Sequence, residues 1–206
     1  MKTIIIGGVA GGASAAARLR RLDEHAEIVM LERGEHISFA NCGLPYYIGG
    51  KITEQSALTL QTPESFTARF HVDVRILSEA VAIDPDRHCV EILDHRSGAV
   101  TSECYDNLIL SPGASPILPP IPGIDLDGVF TLRNIPDTLR IHSFIERCGA
   151  RRAVVVGGGY IGVEMAENLT SAGLEVTIVE LLDHVIASLD ADVAAEVHND
   201  LFRNGV

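Results

Sequence analysis

A glycine-rich turn with the spacing of a phosphate-binding loop lies late in the chain, at Gly157, Gly159 and Gly162. It follows a run of valines and precedes a helical pattern, and Glu180 stands 18 residues after Gly162. Glycines at this spacing let the backbone approach a pyrophosphate at a helix N-terminus, and an acid after the next strand accepts from ribose hydroxyls. The pattern predicts a dinucleotide site that favours NADH, because a carboxylate repels the 2′-phosphate of NADPH.

A second glycine-rich run, at residues 7–12, departs from that spacing because Val9 occupies the middle glycine position. Glu32 lies 20 residues after Gly12, where an acid that binds ribose belongs. The run is compatible with a dinucleotide-binding turn and with a glycine-rich packing turn. Two dinucleotide sites in one chain favour a flavin paired with a nicotinamide, and hydride transfer between them.

Cys42 lies on a loop that is expected to lead out of the first of these sites. Asn41 could cap a short helix that begins at Cys42, and a helix N-terminus favours the thiolate. Cys42 is therefore either a redox nucleophile or a buried structural thiol. The other cysteines, Cys89, Cys104 and Cys148, lie in strand or helix patterns and are expected to be structural free thiols. Neither their spacing nor that of the histidines predicts a metal site.

Two segments about 150 residues apart share one plan and must position these side chains. Each contains a β-branched run, a glycine turn, a helix and a second β-branched run, which predicts a βαβ unit with a parallel sheet. We therefore predict an α/β fold of two Rossmann-like units, with a β-meander over about residues 72–110. The domains are a flavin-binding domain at 1–115, a connector and helix at 116–150, and a nicotinamide-binding domain at 151–206. The second unit is expected to be incomplete, because two strands do not make a stable doubly wound sheet.

The composition limits which classes of binding partner and which cellular location are expected. Lys and Arg number 16 against 28 Asp and Glu, a net charge of −12, and the chain has no Trp. This acidity argues against nucleic acid and anionic membranes as partners. No apolar run reaches the length of a membrane span, and the N-terminal run, although it superficially fits a signal peptide, contains glycines that suit a phosphate-binding turn. We expect a cytoplasmic protein that acts on a small molecule.

The segment from Ser38 to Tyr47, Ser-Phe-Ala-Asn-Cys-Gly-Leu-Pro-Tyr-Tyr, resembles the redox-active motif of the single-cysteine pyridine nucleotide-disulfide oxidoreductases. It is especially similar to that of coenzyme A-disulfide reductases and NADH-dependent persulfide reductases, and the glycine run at 7–12 is similar to their flavin turn. The two-cysteine branch of the family carries a second cysteine five residues after the first, where this chain has Tyr47. The resemblance therefore implies a flavoprotein oxidoreductase with FAD and NADH as cofactors and Cys42 as its single redox-active cysteine.

The resemblance also implies which residues contact the substrate and the cofactors. Contacts to CoA would come from Ser14, Arg18, Arg21, Ser38, Asn41 and Arg69. Contacts to FAD would come from Gly7, Gly8, Val9, Ala10, Gly11, Gly12, Glu32, Arg33, Asn41, Cys42, Val81, Pro112, Gly113 and Arg133. Contacts to NAD would come from Gly157, Gly159, Tyr160, Ile161, Gly162, Glu164 and Glu180. The alternatives are a solvated helix face for the arginines and ordinary helix packing for Tyr160.

The activity that the resemblance implies is the NADH-driven reduction of CoA disulfide, or of a CoA persulfide or polysulfide, through Cys42. One alternative is an NADH oxidase or peroxidase in which Cys42 cycles through a sulfenic acid. Another is a flavoprotein that passes electrons to a small redox protein and does not need Cys42. Members of the family are homodimers more than twice as long, so the chain is also expected to be an N-terminal portion that could be inactive alone.

Overall fold

A computed structural model describes residues 1–206 of the chain. The strands are β1 (Lys2–Ile6), β2 (Glu27–Glu32), β3 (Asp73–Ile76), β4 (Ser78–Asp84), β5 (Cys89–Asp94), β6 (Val100–Cys104), β7 (Asn107–Leu110), β8 (Arg152–Val156) and β9 (Glu175–Val179). The α-helices are α1 (Ala10–Leu22), α2 (Leu44–Ile48), α3 (Pro63–Phe70), α4 (Ile135–Cys148), α5 (Tyr160–Ser171) and α6 (Ala191–Arg203). Short 3₁₀ turns lie at Asn41–Gly43 and Gln55–Leu58.

Contacts between residues divide the chain into two compact units. The first unit contains Met1–Ala40 and Thr59–Ser115, and the second unit contains Asn41–Leu58 and Pro116–Val206. The division differs from the predicted domains for two segments, since the residues around Cys42 and the predicted connector at 116–150 both group with the second unit. Each unit contains one of the two predicted βαβ motifs.

The first unit is built on a parallel sheet in the order β3-β2-β1-β7. Apolar side chains cover both faces of this sheet, which explains why its central strands are continuously apolar. On one face Ile5 and Met30 form a cluster with the alanines of α1. On the other face Ile4 and Leu31 form a cluster with Val90 of β5. The small alanine side chains let α1 lie close to the sheet, directly after the glycine turn.

Strands β4, β5 and β6 form a separate antiparallel sheet in the first unit. The sequence predicted a meander over residues 72–110, but β3 and β7, at the two ends of that stretch, pair with β2 and β1 in the parallel sheet. β6 and α3 are further elements that the sequence analysis did not identify. Short strand-like runs identify strands, but they do not identify partners, which depend on register and connection.

The expectation that Cys89 and Cys104 are free thiols is wrong. The two residues face each other in the antiparallel register of β5 and β6, with their Cα atoms 4.0 Å apart, and a disulfide joins them. Their separation of 15 residues forms no recognisable cysteine motif, so only the strand register brings them together. Cys42 and Cys148 are free and exposed.

Glu103 of β6 ties the antiparallel sheet to the parallel one. Its carboxylate forms ion pairs with Arg75 and, at 2.7 Å, with the Lys2 ammonium nitrogen. Burial alone would raise the pKa of the Glu103 carboxyl, but the hydrogen bonds from Arg75 and Lys2 outweigh it and lower the pKa overall. Glu103 is therefore ionised at neutral pH and stabilises the fold there.

Replacing Glu103 with glutamine is expected to lower the free energy of unfolding at pH 7 by about 2 kcal/mol, because hydrogen bonds between charged groups are lost. A carboxyl whose pKa is lowered by folding contributes stability above its unfolded pKa, about 4.3, and loses that contribution as the pH falls through its folded pKa. The difference between variant and wild type should therefore shrink in acid. Urea unfolding between pH 7 and pH 4 measures it. Glu91→Gln is the control, because Glu91 is an exposed glutamate on β5. Equal changes in the free energy of unfolding for the two variants would contradict the role of Glu103.

The second unit contains a two-stranded parallel sheet, β8 and β9, joined by α5. Its core includes Met165 and Leu169 of α5, Ile141 of α4 and Ile48 of α2. α4 begins at a normal cap, where the Asn134 side chain accepts from the Asp137 N–H. This packing places α2, which follows Cys42, against α4 and α5.

None of the helices combines the length and the apolar character that crossing a bilayer requires.

Candidate dinucleotide-binding turns and redox cysteine

The first glycine turn joins β1 to α1 and leaves no room for side chains. Gly7 has a φ of +98°, and its N–H donates to the Leu31 carbonyl oxygen at 2.8 Å. A Cβ on Gly7 would lie 1.9 Å from the carbonyl oxygen of Ser111, and one on Gly12 would lie 1.8 Å from that of Gly7. Glycine is therefore required at both positions for α1 to start directly beside the end of β1.

Glu32, at the end of β2, is anchored to this turn. One carboxylate oxygen accepts from the Gly8 N–H and the other from the Gly34 N–H, both at 2.8 Å. The carboxylate is thus held beside the glycine turn at the carboxyl end of the sheet, where α/β proteins bind nucleotides. A cavity of about 100 Å³ opens at this place. It is lined by Ile6, Gly7, Leu31, Glu32, Arg33, Ser78, Glu79, Ala80 and Pro112.

The second glycine turn repeats these contacts between β8, α5 and β9. Gly157 also has a φ of +98°, and its N–H donates to the Val179 carbonyl oxygen at 2.8 Å. A Cβ on Gly162 would lie 1.9 Å from the carbonyl oxygen of Gly157. A Cβ on Gly159 would have no neighbour within 4 Å, so the backbone at this position is open to a ligand.

Glu180 is anchored as Glu32 is. Its carboxylate oxygens accept from the Gly158 N–H at 2.5 Å and from the Leu182 N–H at 2.9 Å. Hydrogen bonds from the Leu182 and Gly158 backbones lower the pKa of this carboxyl below its ordinary value. The side chain is therefore an oriented carboxylate at the end of β9.

The two glycine turns also share a backbone contact further along the chain, at Ser38 and Ile186. The sequence analysis assigned Ser38 to CoA binding and did not identify Ile186. Ser38 and Ile186 both have left-handed backbones, with φ of 43° and 49°. Their N–H groups donate to the carbonyl oxygens of Gly8 and Gly158, at 3.0 and 2.7 Å. Each follows a branched apolar residue five positions after the acid. That shared offset from Glu32 and Glu180 is the signal that would have found them.

Cys42 lies in the 3₁₀ turn Asn41–Gly43 and is exposed. The predicted helix start is wrong, because α2 begins at Leu44 with Gly43 as its N-cap and no side chain caps it. Pro45 explains the later start, since proline is favoured in the first turn of a helix. The alternative of a buried structural thiol is also wrong for Cys42.

The segment after Cys42 is fastened to α5 within the second unit. The Lys51 ammonium lies 2.9 Å from the Glu167 carboxylate and 5.3 Å from the centre of the Tyr46 ring. A Cβ on Gly49 would lie 2.8 Å from the Asn168 carbonyl oxygen, so only glycine allows this approach. These contacts hold α2 against the helix that starts at the second glycine turn.

The predicted CoA contacts on α1 share one exposed face. Ser14, Arg18 and Arg21 stand at helical spacing on that face, and neither arginine forms an ion pair or hydrogen bond within the protein. Arg20, by contrast, donates to five backbone carbonyl groups and is structural. Arg69 is exposed on α3, with its guanidinium 5.3 Å from the centre of the Phe70 ring.

The remaining predicted FAD contacts are divided between the units. Val81 is 48% exposed on β4, and Pro112 and Gly113 follow β7. Arg33 donates to the Ser115 hydroxyl at 2.9 Å. Asn41, Cys42 and Arg133 belong to the second unit, whereas the other predicted FAD residues belong to the first unit.

The first residues of α5 are accessible in the second unit. Tyr160 and Ile161 are each 63% exposed, so neither packs in the core. The Ser188 hydroxyl donates to the Tyr160 hydroxyl at 3.3 Å. Glu164 lies one turn further along α5 and is half-buried.

Two strand–glycine turn–helix units, each with an acid anchored to its turn, define a protein with two Rossmann-type dinucleotide-binding folds. The chain belongs to the pyridine nucleotide-disulphide oxidoreductase family, whose model matches residues 1–206. The family predicted from the Cys42 segment is thereby confirmed.

Similar proteins agree with this assignment over the whole chain. The coenzyme A disulfide reductase of Staphylococcus epidermidis is 38% identical over 205 residues, which cover 100% of this chain and 46% of that protein. The crystal structure of reduced CoADR-RHD of Bacillus anthracis has 53% identity and a TM-score of 0.96, covering 100% of this chain and 37% of that one. A NAD-dependent persulfide reductase of A. fulgidus has 38% identity and a TM-score of 0.94, with coverage of 100% and 39%. These matches confirm the predicted α/β fold; the chain spans about half the length of its curated relatives.

Proposed function

We propose that this chain supplies the dinucleotide-binding turns and the redox cysteine of an FAD- and NADH-dependent reductase of CoA disulfide or CoA-linked persulfides. The observation that carries the proposal is the exposed free thiol of Cys42 in a chain with two acid-anchored glycine turns. The names of the coenzyme A disulfide reductase and the persulfide reductase that the chain resembles support this substrate class.

Residues of the first glycine turn fit a flavin dinucleotide. The turn presents the N-terminal backbone N–H groups of α1, which favour phosphate, and the Glu32 carboxylate suits ribose hydroxyls. Arg33, Pro112 and Gly113 would complete the site in a domain that we place at residues 1–115. When bound, FAD would supply the transfer of two electrons from NADH to a sulfur–sulfur bond.

Residues of the second turn fit NADH, in a domain that we place at residues 151–206. The open backbone at Gly159 admits a pyrophosphate, and the exposed Tyr160 and Ile161 are available to a nicotinamide. The ionised Glu180 would accept from the ribose hydroxyls and repel a 2′-phosphate. This geometry favours NADH over NADPH.

Cys42 would react with the sulfur substrate directly. Its thiolate attacks one sulfur of the disulfide, the sulfur–sulfur bond breaks, and the second sulfur leaves as a thiol. Cys42 then carries a mixed disulfide, and its return to the thiolate consumes two electrons that originate from NADH. Position 47, where the two-cysteine branch of the family carries its second cysteine, is a tyrosine, so the proposed cycle uses Cys42 alone.

Comparing substrates tests this function. The FAD-loaded protein should oxidise NADH with CoA disulfide or a CoA persulfide, release free thiol or sulfide, and react at least about tenfold more slowly with hydrogen peroxide. Faster turnover with peroxide would support a peroxidase that cycles through a sulfenic acid at Cys42 instead. NADH oxidation that reduces only a small redox protein would point to electron transfer.

We place the protein in the cytoplasm, where NADH and CoA are found, as a homodimer.

Replacing Arg18 and Arg21 together with alanine is expected to weaken CoA disulfide binding about tenfold or more, because each guanidinium can form charge-assisted hydrogen bonds to phosphate. The free energy of unfolding should hardly change, because neither side chain has a partner in the protein. KM for CoA disulfide, the Kd for CoA and urea unfolding are the measurements. Arg20→Ala is the matched control, and it should lower stability and spare affinity. Unchanged affinity in the double variant would show that α1 presents only a solvated face.

A further inference from the structure

A second pair of sulfur atoms lies away from Cys42 in the sequence and has no part in the proposed reaction. Cys89 is the first residue of β5 and Cys104 is the last residue of β6. They are directly opposite each other in the ladder and are joined by a disulfide. Both belong to the first unit, whereas Cys42 belongs to the second.

The two sulfurs differ in their surroundings. Cys89 is 6% exposed, and its Sγ lies 3.2 Å from the Arg87 carbonyl oxygen. Cys104 is exposed, and its strand β6 is at the edge of the sheet. A reagent from solvent can therefore reach Cys104, while Cys89 is shielded but already positioned to react with it.

This edge strand also carries a polar anchor. Glu103, next to Cys104, forms the ion pairs with Lys2 and Arg75. The disulfide holds the end of β6 to β5, and Glu103 holds the same end to the parallel sheet. A change in the sulfur bond therefore acts on the strand that joins the two sheets.

We propose that Cys89 and Cys104 form a second thiol–disulfide site, which small-molecule disulfides oxidise and small-molecule thiols reduce. In the oxidation, the Cys104 thiolate attacks a disulfide RS–SR, whose bond breaks and releases one RS⁻. The Cys89 thiolate then attacks Sγ of Cys104 and releases the second RS⁻. The protein loses two electrons and two protons, and RS–SR becomes two RSH. Exposed disulfides of this kind are the ones that exchange readily.

A variant with Cys42→Ser and Cys148→Ser isolates this pair and removes the proposed reductase activity. The full chain is reduced with dithiothreitol, desalted, and treated with glutathione disulfide. Thiol titration and intact mass should show the loss of two thiols per chain with no glutathione retained. Peptide mapping should then recover Cys89 linked to Cys104. A pair that remains reduced in excess glutathione disulfide would overturn the proposal.

Two further variants in the same background test the order of attack. With Cys89→Ser, glutathione should remain attached to Cys104, because no second thiol can displace it. With Cys104→Ser, the adduct at the shielded Cys89 should form about tenfold more slowly or not at all. Equal rates at the two positions would overturn the assignment of Cys104 as the attacking thiol. If either variant does not fold, alkylation rates of the reduced pair, mapped by mass spectrometry, decide the same question: Cys104 should react first.

Glutathione exchange at this pair is independent of the proposed function, because it requires neither cofactor nor Cys42. Failure of the pair to oxidise would leave the reductase proposal untouched. Loss of NADH-driven activity would equally leave the second site untouched.

Discussion

Replacing Cys42 with serine is expected to abolish NADH-driven reduction of CoA disulfide, lowering kcat by about 10³-fold or more. Serine is nearly isosteric, but its hydroxyl does not ionise near neutral pH and cannot form the mixed disulfide. Because Cys42 is exposed, the substitution should leave the fold intact. The measurements are NADH oxidation, release of thiol, and the flavin absorbance that the purified protein retains.

Cys148→Ser is the matched control, since Cys148 is the other free and exposed cysteine. It should retain wild-type turnover. A second measurement does not depend on turnover: CoA disulfide should add one CoA to the Cys42 thiol, visible by intact mass, and the serine variant should not acquire it at that position. Full disulfide reductase activity in Cys42→Ser would contradict the proposed mechanism and would favour the interpretation as an electron-transfer flavoprotein.

The two dinucleotide-binding motifs could be predicted from the sequence because their chemistry is local. Gly7 and Gly157 are each followed by the same turn, and the acids Glu32 and Glu180 end the next strands, so the sequence order mirrors the spatial order. Val9 does not disrupt the first turn, because the glycines that close contacts require are Gly7 and Gly12.

Features that depend on register could not be predicted. The sequence of the turn between Cys89 and Cys104 does not determine the register in which β5 and β6 pair. A shift of one residue in this ladder would place the two side chains on opposite faces of the sheet. Similarly, nothing local shows that β3 and β7 join the parallel sheet. The error at Asn41 had a different cause: an asparagine before a helical run suggested a cap, but Pro45 favours a helix that starts at Leu44.

Glycine-to-alanine substitutions in the two turns are expected to lower stability strongly at some positions and hardly at neighbouring ones. Gly12→Ala and Gly162→Ala would each place a Cβ within 2 Å of a backbone carbonyl oxygen, at 1.8 and 1.9 Å. A carbonyl of the turn cannot rotate away without breaking the contact between helix and strand. We expect a loss of about 3 kcal/mol or more in the free energy of unfolding.

Gly159→Ala is the informative contrast, because its Cβ would meet no protein atom within 4 Å. Its stability should remain within about 1 kcal/mol of wild type, because an unstrained glycine-to-alanine exchange changes stability only slightly, and in the stabilising direction, by lowering the entropy of the unfolded chain. If the turn binds a dinucleotide, however, the new methyl group occupies the space where the pyrophosphate approaches the backbone. We therefore expect NADH affinity to fall about tenfold or more, measured by fluorescence titration, while urea unfolding is unchanged. Unchanged affinity would mean that this turn serves helix packing alone, and the tight contact at Gly162 would then be its whole function.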